Sequence, residues 1–431
     1  MNWEDYKLYV LVGSVFVFMA YLLIRWAKSS SNSVRVQQNK DTHLTKDREA
    51  EFLIGKSFKS DFRLETKDIS KFCLLLGTTG AGKTVTIKNF YKAFKNLGFP
   101  IIYVDGKSSD DLIEFLHTES NGKIHGFNCL DHSSYDFLKG SPSEIKDRII
   151  CIKDQWESDY YKTLASDYLQ ITLKLLKEKD QKFTLETLLN LLNPSNLIKE
   201  ARNSRSSLVE HIVNLTDSIK SSELKGIYNH LSMVIHSDFG DYITKHDSNV
   251  IVLEDIISRN ESVYFKLPAL KFPEFASFIG KVVINDIKST IERVRKPVLL
   301  IFDEFSVFAG GQVLNLINQG REFGAHTIVG TQSLEDLKEW SDQILNNANL
   351  LICHRVHSNN TAESVSKYFG TRQSIQITQQ LKEGQSLNVG SARNTREFHV
   401  HPDDLKSLKV GECFICQKDK SRIKKVQINY L

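Results

Sequence analysis

Little in the composition points to a partner. With 56 Lys and Arg against 52 Asp and Glu, the 431-residue chain carries a formal net charge of +4. So small an excess does not argue by itself for nucleic acid or anionic lipid, and any partner has to be read from motifs. Cysteine is equally sparse. Cys73, Cys129, Cys151, Cys353, Cys413 and Cys416 lack the spacing of a disulfide framework, which excludes the stapled secreted scaffolds and fits a reducing compartment. Cys413 and Cys416 form one CxxC, yet no second CxxC or His pair completes a zinc site, and the run GECFICQ around them reads as a strand. Buried, idle thiols are expected there. No RNA-recognition signature, metal-ligand cluster or nucleophile triad stands out either.

Long apolar runs are nearly missing as well, with one exception at residues 8–24, LYVLVGSVFVFMAYLLI. It holds no charge, and at 1.5 Å per residue it spans ~26 Å, the short end for a membrane helix. Trp3 and Tyr6 precede it and Trp26 follows, as expected for rings at two interfaces. The leading segment has Glu4 and Asp5 against Lys7, and no small-residue cleavage site follows, so the pattern predicts an anchor rather than a cleaved signal. Arg25, Lys28, Arg35 and Lys40 all lie after the span, which puts the rest of the chain in the cytoplasm and the short N-terminus outside.

What remains, at 41% hydrophobic and 25% charged overall, is ordinary globular sequence with material for two or three cores. Residues 27–51 are polar and read as a tether. FLIGKSF, FRLETKD and KFCLLLG then read as strands, and FPIIYVDG follows a helical stretch at 85–97. That is a strand, loop, helix, strand unit. Between about 141 and 242 the period switches: Leu164, Tyr168, Ile171 and Leu175 fall on one helical stripe, and Leu208, Ile212, Leu215 and Ile219 on another, with Ser207 and Glu210 as a capping box. Strands resume at SVYFKLP, PVLLIFDE, HTIVGTQ and NLLICHRV, separated by helical segments at 274–294 and 312–323. The order predicts an α/β fold with a mostly parallel sheet, divided as 52–140 and 243–431 around an all-α domain at 141–242, with 1–26 as the anchor.

The chemistry is concentrated in a few positions. Gly77, Thr78, Thr79, Gly80, Ala81, Gly82, Lys83 and Thr84 match GxxxxGK[ST] between an apolar strand and a helix. Glycines there let backbone N–H groups wrap phosphates, Lys83 reaches the β and γ phosphates, and Thr84 holds Mg²⁺. PVLLIFDEF supplies the second half: Asp303 to complete the Mg²⁺ shell and Glu304 to polarise the attacking water, a pair that points to ATP hydrolysis. Gln332 follows the strand of HTIVGTQ, where its amide can sense the γ phosphate from the neighbouring strand; the alternative is a cap for a helix at 334–340. Arg321 ends the helix at 312–323, just before that strand, which suggests a place near the active-site side of the sheet.

The ordered set GTTGAGKT, IIYVDGKSSD, LLIFDEF, NQGREFGAHTIVGTQSLEDL, ILNNANLLICHRVHSNNTAESVSKYFG and REFHVHPDDLKSLKVGECFI resembles the type IV coupling proteins, the inner-membrane, hexameric DNA pumps of conjugation and type IV secretion. The resemblance runs from about residue 52 to the C-terminus, and the stretch 318–334 is more family-specific than the P-loop. It implies a RecA-like P-loop NTPase fold with an all-α domain between the Walker A and Walker B motifs. It also implies ATP and Mg²⁺ as cofactors. The partners it implies are DNA bound largely without sequence preference, a relaxase or relaxosome, secretion-channel components, the membrane and further copies of the chain in a homohexamer. By position, Lys83 and Thr84 match the family's phosphate and magnesium residues, Asp303 and Glu304 its Walker B pair, Gln332 its third motif and Arg321 its trans-acting arginine, while Asp105 and Lys107 match a DxK element. Two features depart from the pattern: the anchor is a single short span, and no long acidic tail follows the ATPase. Three other readings stay open, namely a septal or repair-type translocase of double-stranded DNA, a secretion ATPase that energises protein export or pilus assembly, and a membrane docking protein whose nucleotide sets only its oligomeric state.

Overall fold

Three strands explain why the sheet is central. Along β3 (Cys73–Leu76), Leu74 and Leu76 enter one hydrophobic cluster while Cys73 and Leu75 enter another. β4 (Ile101–Asp105) and β9 (Val298–Asp303) divide the same way, with Ile102, Val104, Leu300 and Phe302 on one side and Ile101, Tyr103, Leu299 and Ile301 on the other. Successive side chains of a strand point to opposite faces, so a run that is apolar throughout needs a cover on both.

The computed structural model describes residues 50–431, apart from short stretches at 108–109, 130–132, 154–155, 180–181, 218, 220–221, 246–248, 308–310 and 383–384. The expected anchor at 8–24 and its tether lie outside the described residues. Among the described residues, no helix is long and apolar enough to cross a membrane.

A separate antiparallel hairpin pairs β12 (Thr371–Lys382) with β13 (Gln385–Phe398), and the other strands of the main sheet are β1 (Glu51–Ser57), β2 (Ser60–Glu65), β5 (Ile124–Phe127), β8 (Ser262–Lys266), β10 (Ala325–Thr331), β11 (Leu350–His354), β14 (Glu412–Gln417) and β15 (Arg422–Ile428). With β3, β4 and β9 these eight form an 11-stranded sheet in the order β2-β1-β15-β14-β11-β3-β10-β9-β4-β8-β5. From β11 to β5 every pairing is parallel; β14, β15, β1 and β2 extend it antiparallel. The mostly parallel sheet is therefore as the sequence predicts. Helix α2 (Lys83–Asn96) covers one face, starting two residues before the expected stretch because the P-loop runs directly into it.

Between the short parallel strands β6 (Ser134–Tyr135) and β7 (Val250–Ile251), the described residues form helices only, from α4 (Pro142–Ile150) through α5 (Asp159–Glu178) to a last short turn at Asp241–Thr244. Tyr168, Ile171 and Leu175 are buried, as their stripe predicts. The expected capping box does not form. Glu178, at the end of α5, instead accepts from Ser207 Oγ at 2.9 Å, so a tertiary contact has taken the local cap's place.

A buried ion pair joins this helical segment to the sheet-covering helix α12 (Pro273–Val294). Arg148 of α4 is 1% exposed and donates to Asp286 Oδ1 at 2.8 Å, to the Phe137 carbonyl at 2.7 Å and to Ser289 Oγ at 2.8 Å. Tyr135 completes the ring by donating to Asp286 Oδ2 at 2.8 Å. Burial raises the Asp286 pKa, with Arg148 and Tyr135 opposing that rise.

Candidate active site

The P-loop leaves the C-terminal end of β3, and Gly82 caps α2 with φ +119°, a left-handed conformation costly to any residue with a side chain. The loop is held from outside its own sequence. Thr78 N–H donates to the Arg355 carbonyl at 2.9 Å, and the Ala81 carbonyl accepts from Gly411 N–H at 3.0 Å. Beneath it lies His354, fully buried, whose Nδ1 donates to the Glu412 carbonyl at 2.9 Å, leaving Nε2 to accept from Thr86 Oγ1 at 2.8 Å. Burial pushes its pKa down to about 4, so the ring is neutral.

Lys83 is 8% exposed and donates to the carbonyl of Gly77, the first residue of its own loop. Its burial lowers the pKa, while Asp303 and Glu304 pull it back up. Those two acids close β9. Asp303 is pushed up to about 7 by burial and then by Asp105, which stands beside it in register on β4; Lys83 opposes the rise. Asp303 Oδ1 accepts from Glu304 N–H at 3.0 Å. Glu304 itself sits at φ +52°, in the left-handed region, which turns the chain sharply off the strand end. Asp105 is held by Tyr264 Oη–H at 2.6 Å and by Lys107 N–H at 2.7 Å.

β10 lies between the P-loop strand and the acid strand, and this topology decides the position of Gln332. Close approach is needed at its end: a Cβ on Gly330 would stand 2.9 Å from Asp303 Oδ1. Just beyond, Gln332 Nε2–H donates to Glu304 Oε1 at 2.9 Å while its Oε1 accepts from Thr79 Oγ1 at 3.3 Å. The helix expected after it is a 3-10 turn, Glu335–Trp340, and the residue bonded to that turn is Ser333, whose N–H donates to Asp336 Oδ2 at 2.9 Å.

The expected place of Arg321 needs correction. The helix read at 312–323 divides into α13 (Gly311–Gln319) and a 3-10 turn, Gly320–Phe323, and this turn enters β10 at its N-terminal end. The P-loop, Glu304 and Gln332 gather at the other end of the strands. Seven residues of strand put ~20 Å between the two edges. Arg321 is exposed on the edge away from its own P-loop, not on the active-site side.

The donor set fits a divalent cation. Thr84 stands partly exposed on the first turn of α2, and Asp303 is a buried carboxyl crowded by a second acid, the situation a cation relieves. Sequence reasoning did not find His354, Arg355 or the Gly411–Glu412 turn. Its signal was a histidine closing an otherwise apolar strand. The thiols of Cys413 and Cys416 are free and buried, and burial raises both, Cys416 to about 11.

The family model described as "TraM recognition site of TraD and TraG" matches residues 297–409, the stretch that carries Asp303, Glu304, Arg321 and Gln332. That match covers about a quarter of the chain and falls within the part whose sequence resembles the type IV coupling proteins. A curated relative, an uncharacterised protein of Mycoplasma pneumoniae, is 30% identical over 126 residues, 27% of this chain and 81% of its own. Among solved structures, the fold is similar to that of the bacterial conjugative coupling protein TrwBdeltaN70 in its unbound form. The two share a TM-score of 0.66 at 12% identity over 91% of this chain and 92% of that one. TrwB in complex with ADP and Mg²⁺ gives a TM-score of 0.60 at 14% identity over 85% and 87%. VirB4 of Thermoanaerobacter pseudethanolicus gives 0.54 at 14% identity over 88% and 96%. At these identities the likeness concerns the fold, a RecA-like P-loop NTPase with a mostly parallel sheet.

Proposed function

We propose that this chain is a type IV coupling protein that hydrolyses ATP to drive DNA, delivered with a relaxase or relaxosome, into a conjugation or type IV secretion channel. The observation that carries the hydrolytic half is Gln332 bonded to both Thr79 of the P-loop and Glu304. With Oε1 of Glu304 occupied by that amide, Oε2 is left to accept a proton from water, which is what a general base for in-line attack requires. Lys83, released from the Gly77 carbonyl, meets the β and γ phosphates. Thr84 and Asp303 would hold Mg²⁺, which would supply positive charge against the phosphate oxygens. As the γ phosphate leaves, the Thr79–Gln332–Glu304 chain connects the emptied loop to the strand end.

The DNA half is supported by the match of residues 297–409 to the TraD and TraG family model and by the TrwB-like fold. Membrane attachment through residues 8–24, with the ATPase cytoplasmic, rests on the uncharged span and the basic residues after it. Assembly as a homohexamer belongs to the same reading.

The test is Mg²⁺-ATPase activity of the full chain in detergent, with and without DNA. Lys83→Ala is expected to lose nucleotide binding, and Glu304→Gln to bind ATP yet lose roughly 10²–10⁴ in turnover. Undiminished hydrolysis in both variants would sink the active-site assignment. A rate indifferent to DNA, with no DNA bound at low salt, would shift the reading to protein export.

A further inference from the structure

Gln332 and Glu304 follow β10 and β9, so the groups that meet the γ phosphate all lie on one side of the P-loop strand β3. A triphosphate laid along the loop then carries its nucleoside toward the other side, where β11 and β14 succeed β3 in the sheet. There the P-loop meets the turn that leads into β14. Gly411 N–H donates to the Ala81 carbonyl at 3.0 Å, and a Cβ on Gly82 would stand 3.1 Å from Gly411 Cα. The donating amide joins Val410 to Gly411, which keeps Val410 Cα within about 5.5 Å of the Ala81 oxygen. Hydrogen bonds pin the turn. Lys409 N–H donates to Glu412 Oε2 at 2.8 Å, Glu412 N–H to the Lys409 carbonyl at 3.0 Å and Ile428 N–H to the Gly411 carbonyl at 2.9 Å. His354 Nδ1 holds the Glu412 carbonyl from below at 2.9 Å. On this fixed turn the apolar side chain of Val410 is 63% exposed.

A branched apolar side chain held in water adds little to the core, whereas a flat heterocycle laid on it removes apolar surface from both partners. We propose that Val410 is a base-contacting residue, on which the purine of the bound nucleoside triphosphate rests by its ring face. The assignment rests on the ATP-hydrolysing reading of the P-loop and adds to it the wall of the nucleoside subsite. A contact through the ring face is common to adenine and guanine, because the groups that tell them apart lie at the ring edge. Val410 therefore strengthens nucleotide binding without choosing between the purines.

Calorimetry of the full chain in detergent with Mg²⁺ tests this, with non-hydrolysable analogues of ATP and GTP beside inorganic tripolyphosphate. In the wild type both analogues are expected to bind more tightly than tripolyphosphate. Val410→Ser is expected to bind each analogue roughly three- to tenfold more weakly, the range for losing part of a valine-sized apolar contact, with tripolyphosphate affinity unchanged. Val410→Leu keeps the apolar surface and should keep the affinity. The side chain is exposed, so neither variant opens the core, and unchanged tripolyphosphate binding verifies that the loop is intact. Val410→Ser that binds both analogues as the wild type does overturns the subsite and leaves the P-loop assignment standing. A loss confined to one analogue puts the contact at the ring edge and overturns the face contact. Equal losses for the analogues and for tripolyphosphate make Val410 a support of the loop and remove it from the base. Wild type that binds none of the three sinks the ATPase reading, and the subsite with it.

Discussion

Gln332 and Glu304 meet across 2.9 Å, amide nitrogen to carboxylate oxygen, at the ends of adjacent strands. Since the same amide accepts from Thr79 of the P-loop, one side chain spans the phosphate-binding and water-activating halves of the site.

Gln332→Ala removes both hydrogen bonds and leaves Glu304 free to rotate. Nucleotide affinity is expected to stay within a few-fold, because Lys83 and the loop backbone are untouched. The turnover number should fall roughly 10–100-fold, the usual cost of losing a group that orients a working side chain. Fluorescent-nucleotide titration beside steady-state hydrolysis separates the two. A variant that loses affinity and keeps its turnover number would make Gln332 a binding residue instead.

The Arg148–Asp286 pair, sealed at the junction of α4 and α12, predicts an asymmetric response to mutation. Arg148→Met alone leaves a buried carboxylate without its cation and is expected to cost about 3–5 kcal/mol of unfolding free energy. Arg148→Met with Asp286→Leu removes both charges and should recover most of that loss. Urea unfolding of the three proteins decides it; a double variant no better than the single one would mean that packing, not charge, sets the cost.

Much of this was legible from local signals. Continuous apolar runs gave the parallel strands of the core, and the P-loop and the Asp303–Glu304 pair are defined by residues adjacent in sequence. What was missed depends on pairing between distant segments. His354 and Gly411 support the P-loop only because β11 borders β3 and β14 borders β11, an order that no local period encodes. The Ser207–Glu210 box was lost for the same reason, since Glu178 of another helix competes for the serine. Arg321 was misplaced because a helix next to a strand in sequence was assumed to share that strand's functional end.

His354 gives a pH dependence whose sign can be worked out. The folded pKa is about 4 against an ordinary 6.5, so the native state holds the ring neutral while the unfolded chain protonates it first. Its contribution to stability is complete above pH 6.5 and is lost progressively as pH falls toward 4. His354→Gln cannot titrate. The difference between urea midpoints of wild type and variant should therefore change across that window and stay flat from pH 7 to 8. A constant difference from pH 7 to 4.5 would mean that the ring takes up its proton equally in the folded and unfolded chain.

Arg321 carries the last prediction. Its 3-10 turn opens onto the N-terminal end of β10, while the P-loop, Glu304 and Gln332 stand at the C-terminal ends of the strands, ~20 Å away. An arginine side chain reaches about a third of that distance, so Arg321 cannot assist hydrolysis in its own subunit without a rearrangement of the sheet. It is exposed, and among the described residues it pairs with no carboxylate. Both facts suit a cation offered to the site of a neighbouring copy in a ring. Such a finger completes the transition-state charge only when the neighbour is docked, and in related phosphoryl-transfer systems contributes roughly 10³–10⁵ in rate. Arg321→Ala is then expected to bind ATP and assemble normally, yet to hydrolyse poorly. Mixing gives the sharper measurement: Arg321→Ala subunits keep an intact P-loop, and Lys83→Ala subunits keep an intact arginine. Each nearly inactive alone, together they should recover activity that rises and then falls with mixing ratio. With mixed rings verified by cross-linking, no recovery at any ratio would confine Arg321 to surface or fold-supporting duty.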